Sequence, residues 1–187
     1  SRISRIDLPT DAGIQDVFRH LANDLARTEA IAAEVKNAFD QGRKVLLLTE
    51  RTEHLDAIKA SLDDLTPAPF VLHGRMSRKQ RSALVADLEA LPPDAPRVLL
   101  ATGKLVGEGF DHPPLDTLVL AMPVSWKGTL QQYAGRLHRE HASKTDVRII
   151  DFVDTGHSAL VRMWDKRQRG YRAMGYRVGS TGLSAAV

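Results

Sequence analysis

Three stretches of this 187-residue chain, KVLLLT (44–49), RVLLAT (97–102) and TLVLAM (117–122), run apolar through consecutive positions without polar alternation. A strand with one face in water alternates polar and apolar side chains, so these runs predict strands buried on both faces. FVLHG (70–74) and VRIIDFVD (147–154) bring the series to five. Helical spacings lie between them: Leu55, Ile58 and Leu62 follow the first run, and Leu84, Val85 and Leu88 follow FVLHG. A βαβα alternation of this kind predicts an α/β fold, a parallel sheet of five or more strands with helices on both faces. Ser77 and Gln80 form a capping-box pair that starts a helix just after HGRM. The stretch from Gly103 to Pro114 has no periodicity and reads as a loop leaving the carboxyl end of a strand, the edge at which open parallel sheets bind ligands.

Two amphipathic helices precede the sheet, one over 14–25 with Ile14, Val17, Phe18, Leu21 and Leu25 on one face, the other over 28–39 with Ile31, Val35 and Phe39. Gln41-Gly42 stops the second. We therefore expect a helical connector over 1–27, the α/β domain over 28–178 and a flexible tail over 179–187. Composition bounds the function classes. With 43% hydrophobic and 26% charged residues, the chain belongs with soluble globular proteins. It has no cysteine, which excludes a disulfide scaffold and a thiolate metal site. No apolar run approaches the roughly 18 residues of a membrane span and no signal peptide is evident, so a cytoplasmic location is expected. A net charge of +3 is compatible with a polyanionic partner without demanding one.

The segment QQYAGRLHRE reads as helical. At about 100° per residue, Gln132, Arg136 and Arg139 fall at roughly 0°, 40° and −20° on the helical wheel. Leu130, Tyr133, Ala134 and Leu137 fall on the opposite side, so the helix is expected to pack through them and to point two guanidiniums and an amide outward. Gly135 allows close approach beside that stripe. Positioned arginines can stabilise charge on a transferring phosphoryl group. Spacing alone suits a solvated basic face equally well.

ATGKLVGEGFDHPPLDTLVLAMPVS followed by QQYAGRLHRE resembles the fifth and sixth conserved motifs of superfamily 2 helicases, with the pattern Q-x-x-G-R-x-x-R matched in full. KVLLLTERTEHLDAI resembles the fourth motif and HGRMSRKQR the segment after it, so four motifs stand in order across residues 44–140. The chain resembles the second, C-terminal RecA-like domain of a DEAD/DEAH-box helicase. Its GEGFDHPPLDTL form and basic, tyrosine-bearing tail resemble restriction-type helicase subunits.

The resemblance implies a role for each matched residue. Arg136 and Arg139 correspond to arginines that reach the γ-phosphate of ATP held by the first RecA-like domain, and Gln132 to the position that couples nucleotide to the inter-domain contact. Gly107, Glu108, Gly109 and Asp111 fall in the loop whose counterparts approach the ATP ribose and phosphates. Thr102 and Gly103 fall where related proteins contact a nucleic-acid phosphate. Thr49, Glu50 and Arg51 match the fourth motif, where a helix N-terminus and its N–H groups can hold a backbone phosphate, and His73, Gly74 and Arg81 line the same track. The implied cofactors are ATP and Mg²⁺ in the full-length protein. The implied partners are nucleic acid, DNA ahead of RNA, and the first RecA-like domain of the same polypeptide. The alternative function is a nonenzymatic RecA-like module for nucleic-acid binding or regulation, and a third is a free-standing nucleotide-binding enzyme.

No G-x-x-x-x-G-K-[ST] occurs: Val98 stands five places before Gly103, and Leu105 follows Lys104. Nor is there a DEAD-type acidic box for Mg²⁺. The first RecA-like domain is expected outside this chain, which by itself is expected to hold no cofactor and to be inactive. Gly107 and Gly109 fail as a dinucleotide fingerprint because His112 stands at the third glycine. His138 and His141 read as surface residues with no metal site, and Asp151 and Asp154 as capping or loop residues. Arg162, Lys166, Arg167, Arg169, Arg172 and Arg177 interleave with Trp164, Tyr171 and Tyr176, which suits either a nucleic-acid surface or a solvated helix whose aromatics dock on the core.

Overall fold

The computed structural model describes residues 2–6, 8–9, 11–102, 110–124, 129–139, 141–142, 144–179 and 181–182. Its strands are β1 (Arg2–Arg5), β2 (Lys44–Thr49), β3 (Phe70–Leu72), β4 (Arg97–Thr102), β5 (Thr117–Leu120), β6 (Arg148–Thr155) and β7 (Thr181–Gly182). They pair in parallel in the order β3-β4-β2-β5-β6-β1-β7. Helices α1 (Ile14–Asn23), α2 (Leu25–Asp40), α3 (Thr52–Ala60), α4 (Arg78–Ala90), α5 (Thr129–Leu137) and α6 (Ser158–Ala173) cover the sheet. The α/β, RecA-like architecture expected from the apolar runs is the one observed, and among the described residues no helix is long and apolar enough to cross a membrane.

Why the runs lack alternation is visible in β2. Leu46 and Leu48 point to the face packed by Leu84 and Leu88 of α4, Leu130, Tyr133 and Leu137 of α5, and Tyr171 of α6. Val45 and Leu47 point the other way, onto Ile31 and Val35 of α2 and Leu55 and Ile58 of α3. Each leucine so buried contributes about 1.5–3 kcal/mol relative to exposure. The capping box forms as expected: Ser77 Oγ accepts from the Gln80 N–H at 3.2 Å, and Gln80 Oε1 accepts from the Ser77 N–H at 2.8 Å. Gly42 ends α2 at φ 77°, a left-handed turn that suits glycine.

The amino-terminal region differs from the expectation. Asp24 is extended and its carboxylate accepts from the Arg27 N–H at 3.0 Å, so it caps a new helix and breaks the apolar phase of 14–25. Val17 and Leu21 are buried against Ile6, Met122 and Leu160, whereas Leu25 is 74% exposed. The stretch expected as a helical connector also supplies β1, whose register runs from Arg2 opposite Phe152 to Arg5 opposite Thr155. Four residues, two of them charged, give no apolar run to announce it. Thr181–Gly182, within the expected tail, pairs with β1.

Candidate functional site

Helix α5 buries Leu130, Tyr133, Ala134 and Leu137 and exposes Gln132, as its periodicity requires. Arg136 Nη1 donates to the Phe110 carbonyl at 2.7 Å, and its Cζ lies 6.0 Å from the Tyr133 ring centroid. Arg139 is ion-paired with Asp111. Both arginines thus converge on Phe110–Asp111, in the segment that feeds the amino end of β5, where the Asp116 N–H donates to the Lys44 carbonyl at 3.0 Å.

Arg139 is not on the α-helix proper. The helix ends at Leu137, and the His138 and Arg139 N–H groups donate to the carbonyls three residues back, Gly135 at 3.2 Å and Arg136 at 3.1 Å. This tightened turn carries Arg139 out of the 3.6-residue row that a wheel assumes. Lys144, which no local pattern singled out, caps the same end: its Nζ donates to the carbonyls of Leu137 at 3.0 Å and Arg139 at 2.9 Å. A cation on the last carbonyls of a helix is favourable for its dipole. Of the other expected site residues, Gly103, Gly107, Glu108 and Gly109 lie outside the described residues.

A second group gathers at the carboxyl edge of the sheet. Thr49 and Thr102 are Cα partners on adjacent strands, and Leu72 pairs with Ala101, so His73 and Gly74 leave β3 beside them. Thr49 itself is only 1% exposed, and its hydroxyl is hydrogen-bonded to His54 Nδ1 at 3.0 Å. The side chains that reach solvent at that junction are therefore Glu50 and, in part, Arg51, which precedes α3 without a side-chain cap on its first turn. His73 accepts on Nδ1 from the Arg75 N–H at 3.3 Å, Gly74 is exposed, and Arg81 is half-buried on the first turn of α4.

Several buried polar residues link these groups to the core. His54, whose Nε2 has no hydrogen-bond partner among the described residues, has its pKa pushed down to about 4 by burial and then by the nearby Arg27 charge. His112 Nε2 lies 3.1 Å from Arg97 Nη1, and since a guanidinium can only donate, the ring must accept there in its neutral form. Burial first and the Arg97 charge second lower its pKa to about 4.

Asp151 and Asp154 correct the capping or loop roles expected of them. Asp154 forms a two-pronged pair with Arg27, at 2.9 and 2.8 Å, and Arg27 Nη1 donates to the Ala121 carbonyl at 2.6 Å. Asp151 takes Arg167 at 2.7 and 3.1 Å and the Tyr171 hydroxyl at 2.9 Å, and Arg167 Nη1 donates to the Val124 carbonyl at 3.0 Å. A signal was present in both cases. Arg27 stands in the stripe of Ile31 and Val35, and Arg167 in the stripe of Leu160, Trp164 and Tyr171, at the spacing of residues that face a core. Trp164, Tyr171 and Tyr176 dock on the core, and Arg162, Lys166, Arg169, Arg172 and Arg177 remain exposed. His138 is exposed, with its ring edge-on to Tyr176 at 4.9 Å. Among the described residues no cluster of three metal-ligating side chains forms.

Residues 27–141 match the family described as Helicase conserved C-terminal domain. Uncharacterized protein 108L of Invertebrate iridescent virus 3 is 36% identical over 100 residues, covering 52% of this chain and 88% of that one. The protein named "Probable helicase D10" of Escherichia phage T5 is 25% identical over 138 residues, covering 74% of this chain and 30% of its own length. Among solved structures, that of T4 UvsW superposes with a TM-score of 0.71 at 17% identity, covering 97% of this chain and 41% of that one. The chain thus spans under a third of the phage T5 protein and well under half of the UvsW chain.

Proposed function

We propose, from the premise that this chain belongs to the family of helicase conserved C-terminal domains and is a second RecA-like domain of the superfamily 2 type, that it is half of an ATP-driven nucleic-acid motor of restriction-subunit character. Residues 28–178 form the motor body in this reading, with 1–27 leading into it and 179–187 following it. The convergence of Arg136 and Arg139 on Phe110–Asp111 carries the proposal. Two guanidiniums presented from one helix end fit the oxygens of a phosphate chain, and ATP with Mg²⁺, held by a first RecA-like domain, would supply the phosphoryl group to be transferred.

Within that arrangement Arg136 and Arg139 stabilise the charge that develops as the phosphoryl group leaves, and Gln132 beside them senses the facing domain. Asp111 keeps Arg139 paired while the phosphate is elsewhere; exchange of that carboxylate for a phosphate ties domain closure to nucleotide. Gly107, Glu108 and Gly109 belong to the same nucleotide-facing loop. The carboxyl-edge group, with Thr49 acting through its main chain and with Glu50, Arg51, His73, Gly74, Arg81, Thr102 and Gly103, follows the backbone of a nucleic acid, DNA ahead of RNA. Contacts to phosphate without base readout are what translocation along any sequence needs.

The test uses the full-length parent protein. Arg136→Ala and Arg139→Ala should each lower nucleic-acid-stimulated ATP turnover by about 10³-fold or more while leaving nucleic-acid affinity nearly unchanged. Normal turnover in both variants sinks the assignment.

A further inference from the structure

Behind α5, on the side away from Gln132, a cavity of about 490 Å³ opens between the end of that helix, the start of β6, and α6 with the segment after it. That volume lies within the range of small-molecule sites, about 300–1,000 Å³. His138, Trp164, Tyr171 and Tyr176 line it. Their rings form one continuous wall: Trp164 to Tyr171 at 6.5 Å, Tyr171 to Tyr176 at 6.2 Å and Tyr176 to His138 at 4.9 Å between centroids. Such a wall selects a flat, polarisable ring.

The charges select a sign. Two carboxylates line the cavity, and each is already committed, Asp146 to Arg43 and Asp151 to Arg167. Two exposed guanidiniums remain over at the lining: Arg148, which donates to the Gln41 side-chain carbonyl at 2.9 Å, and Arg177, which forms no ion pair among the described residues. We propose that this cavity binds a planar aromatic anion of nucleoside-monophosphate size, the base against Trp164 and Tyr176 and the phosphate at Arg148 and Arg177. The site is separate from the Arg136–Arg139 cluster and does not depend on the motor reading. It touches the same helix, however, because Tyr176 also donates to the Ala134 carbonyl at 3.3 Å.

AMP is the probe, and Trp164 the reporter. The chain has two tryptophans, so Trp126→Phe leaves Trp164 alone. Titration of AMP into that protein should quench its emission saturably, with an affinity in the millimolar range or tighter. The double substitution Arg148→Gln and Arg177→Gln, at two exposed positions that leave the fold intact by circular dichroism, should weaken binding about tenfold or more. Arg136→Ala with Arg139→Ala should leave it unchanged. No saturable quench overturns the proposal, as does a quench that survives loss of Arg148 and Arg177. A quench abolished by loss of Arg136 and Arg139 also overturns it, because the ligand would then occupy the other site.

Discussion

At the scale of single residues, His54 and His112 bear on how the protein responds to acid. Both are buried and both have pKa values held near 4, against about 6.5 for an ordinary histidine. Between those values the unfolded chain takes up protons that the folded one refuses, so stability is full above about pH 6.5 and falls as the pH drops toward 4. At about 1.4 kcal/mol per pH unit, the loss is about 3 kcal/mol for each histidine. Urea unfolding at pH 7.5 and at pH 4.5 measures it, and equal midpoints would contradict the burial of both rings. The two histidines also show where residue-level reading stops. That His54 meets Thr49 follows from a short strand-to-helix step. That His112 meets Arg97 depends on a loop folding back across 15 positions, which no spacing announces.

At the scale of elements, α5 is set by what lies behind it. Its apolar face was legible because Leu130, Tyr133, Ala134 and Leu137 obey the helical period. Its mounting was not. The segment leading to it is held by Arg27 at the Ala121 carbonyl and Arg167 at the Val124 carbonyl, its end by Lys144, and its middle by Tyr176. Arg167 serves two functions at once, pairing Asp151 in the interior and fixing the entry to α5. Arg167→Met keeps most of the volume but leaves the Asp151 charge with only the Tyr171 hydroxyl, and should cost about 3–5 kcal/mol. Urea titration checks this, and a loss below about 1 kcal/mol would mean the pair behaves as a surface contact. Among six basic residues of the tail, only the register with Leu160, Trp164 and Tyr171 separates the buried arginine from the solvated ones.

At the scale of the whole molecule, the sheet holds its two candidate sites apart, the arginines beside the segment entering β5 and the strand ends at the carboxyl edge. A module of this kind, with phosphate-facing groups and no P-loop in its 187 residues, should work only against a partner domain. The isolated chain is expected to show no ATP turnover above a denatured control, with or without nucleic acid, in a phosphate-release assay; sustained turnover in a clean preparation would show that the nucleotide needs no second domain. The sequence by itself determined the fold class, because strands buried on both faces must be apolar throughout, and it determined the chemistry on offer, because arginine spacing and capping boxes are local. Only the tertiary structure decided the strand order, the charged edge strand β1, the inward turn of Thr49, and which arginines are buried supports and which stand at the phosphate-facing end of α5. Those outcomes depend on contacts between residues far apart in the chain, and packing selects among them by burial and charge pairing that no window of sequence contains.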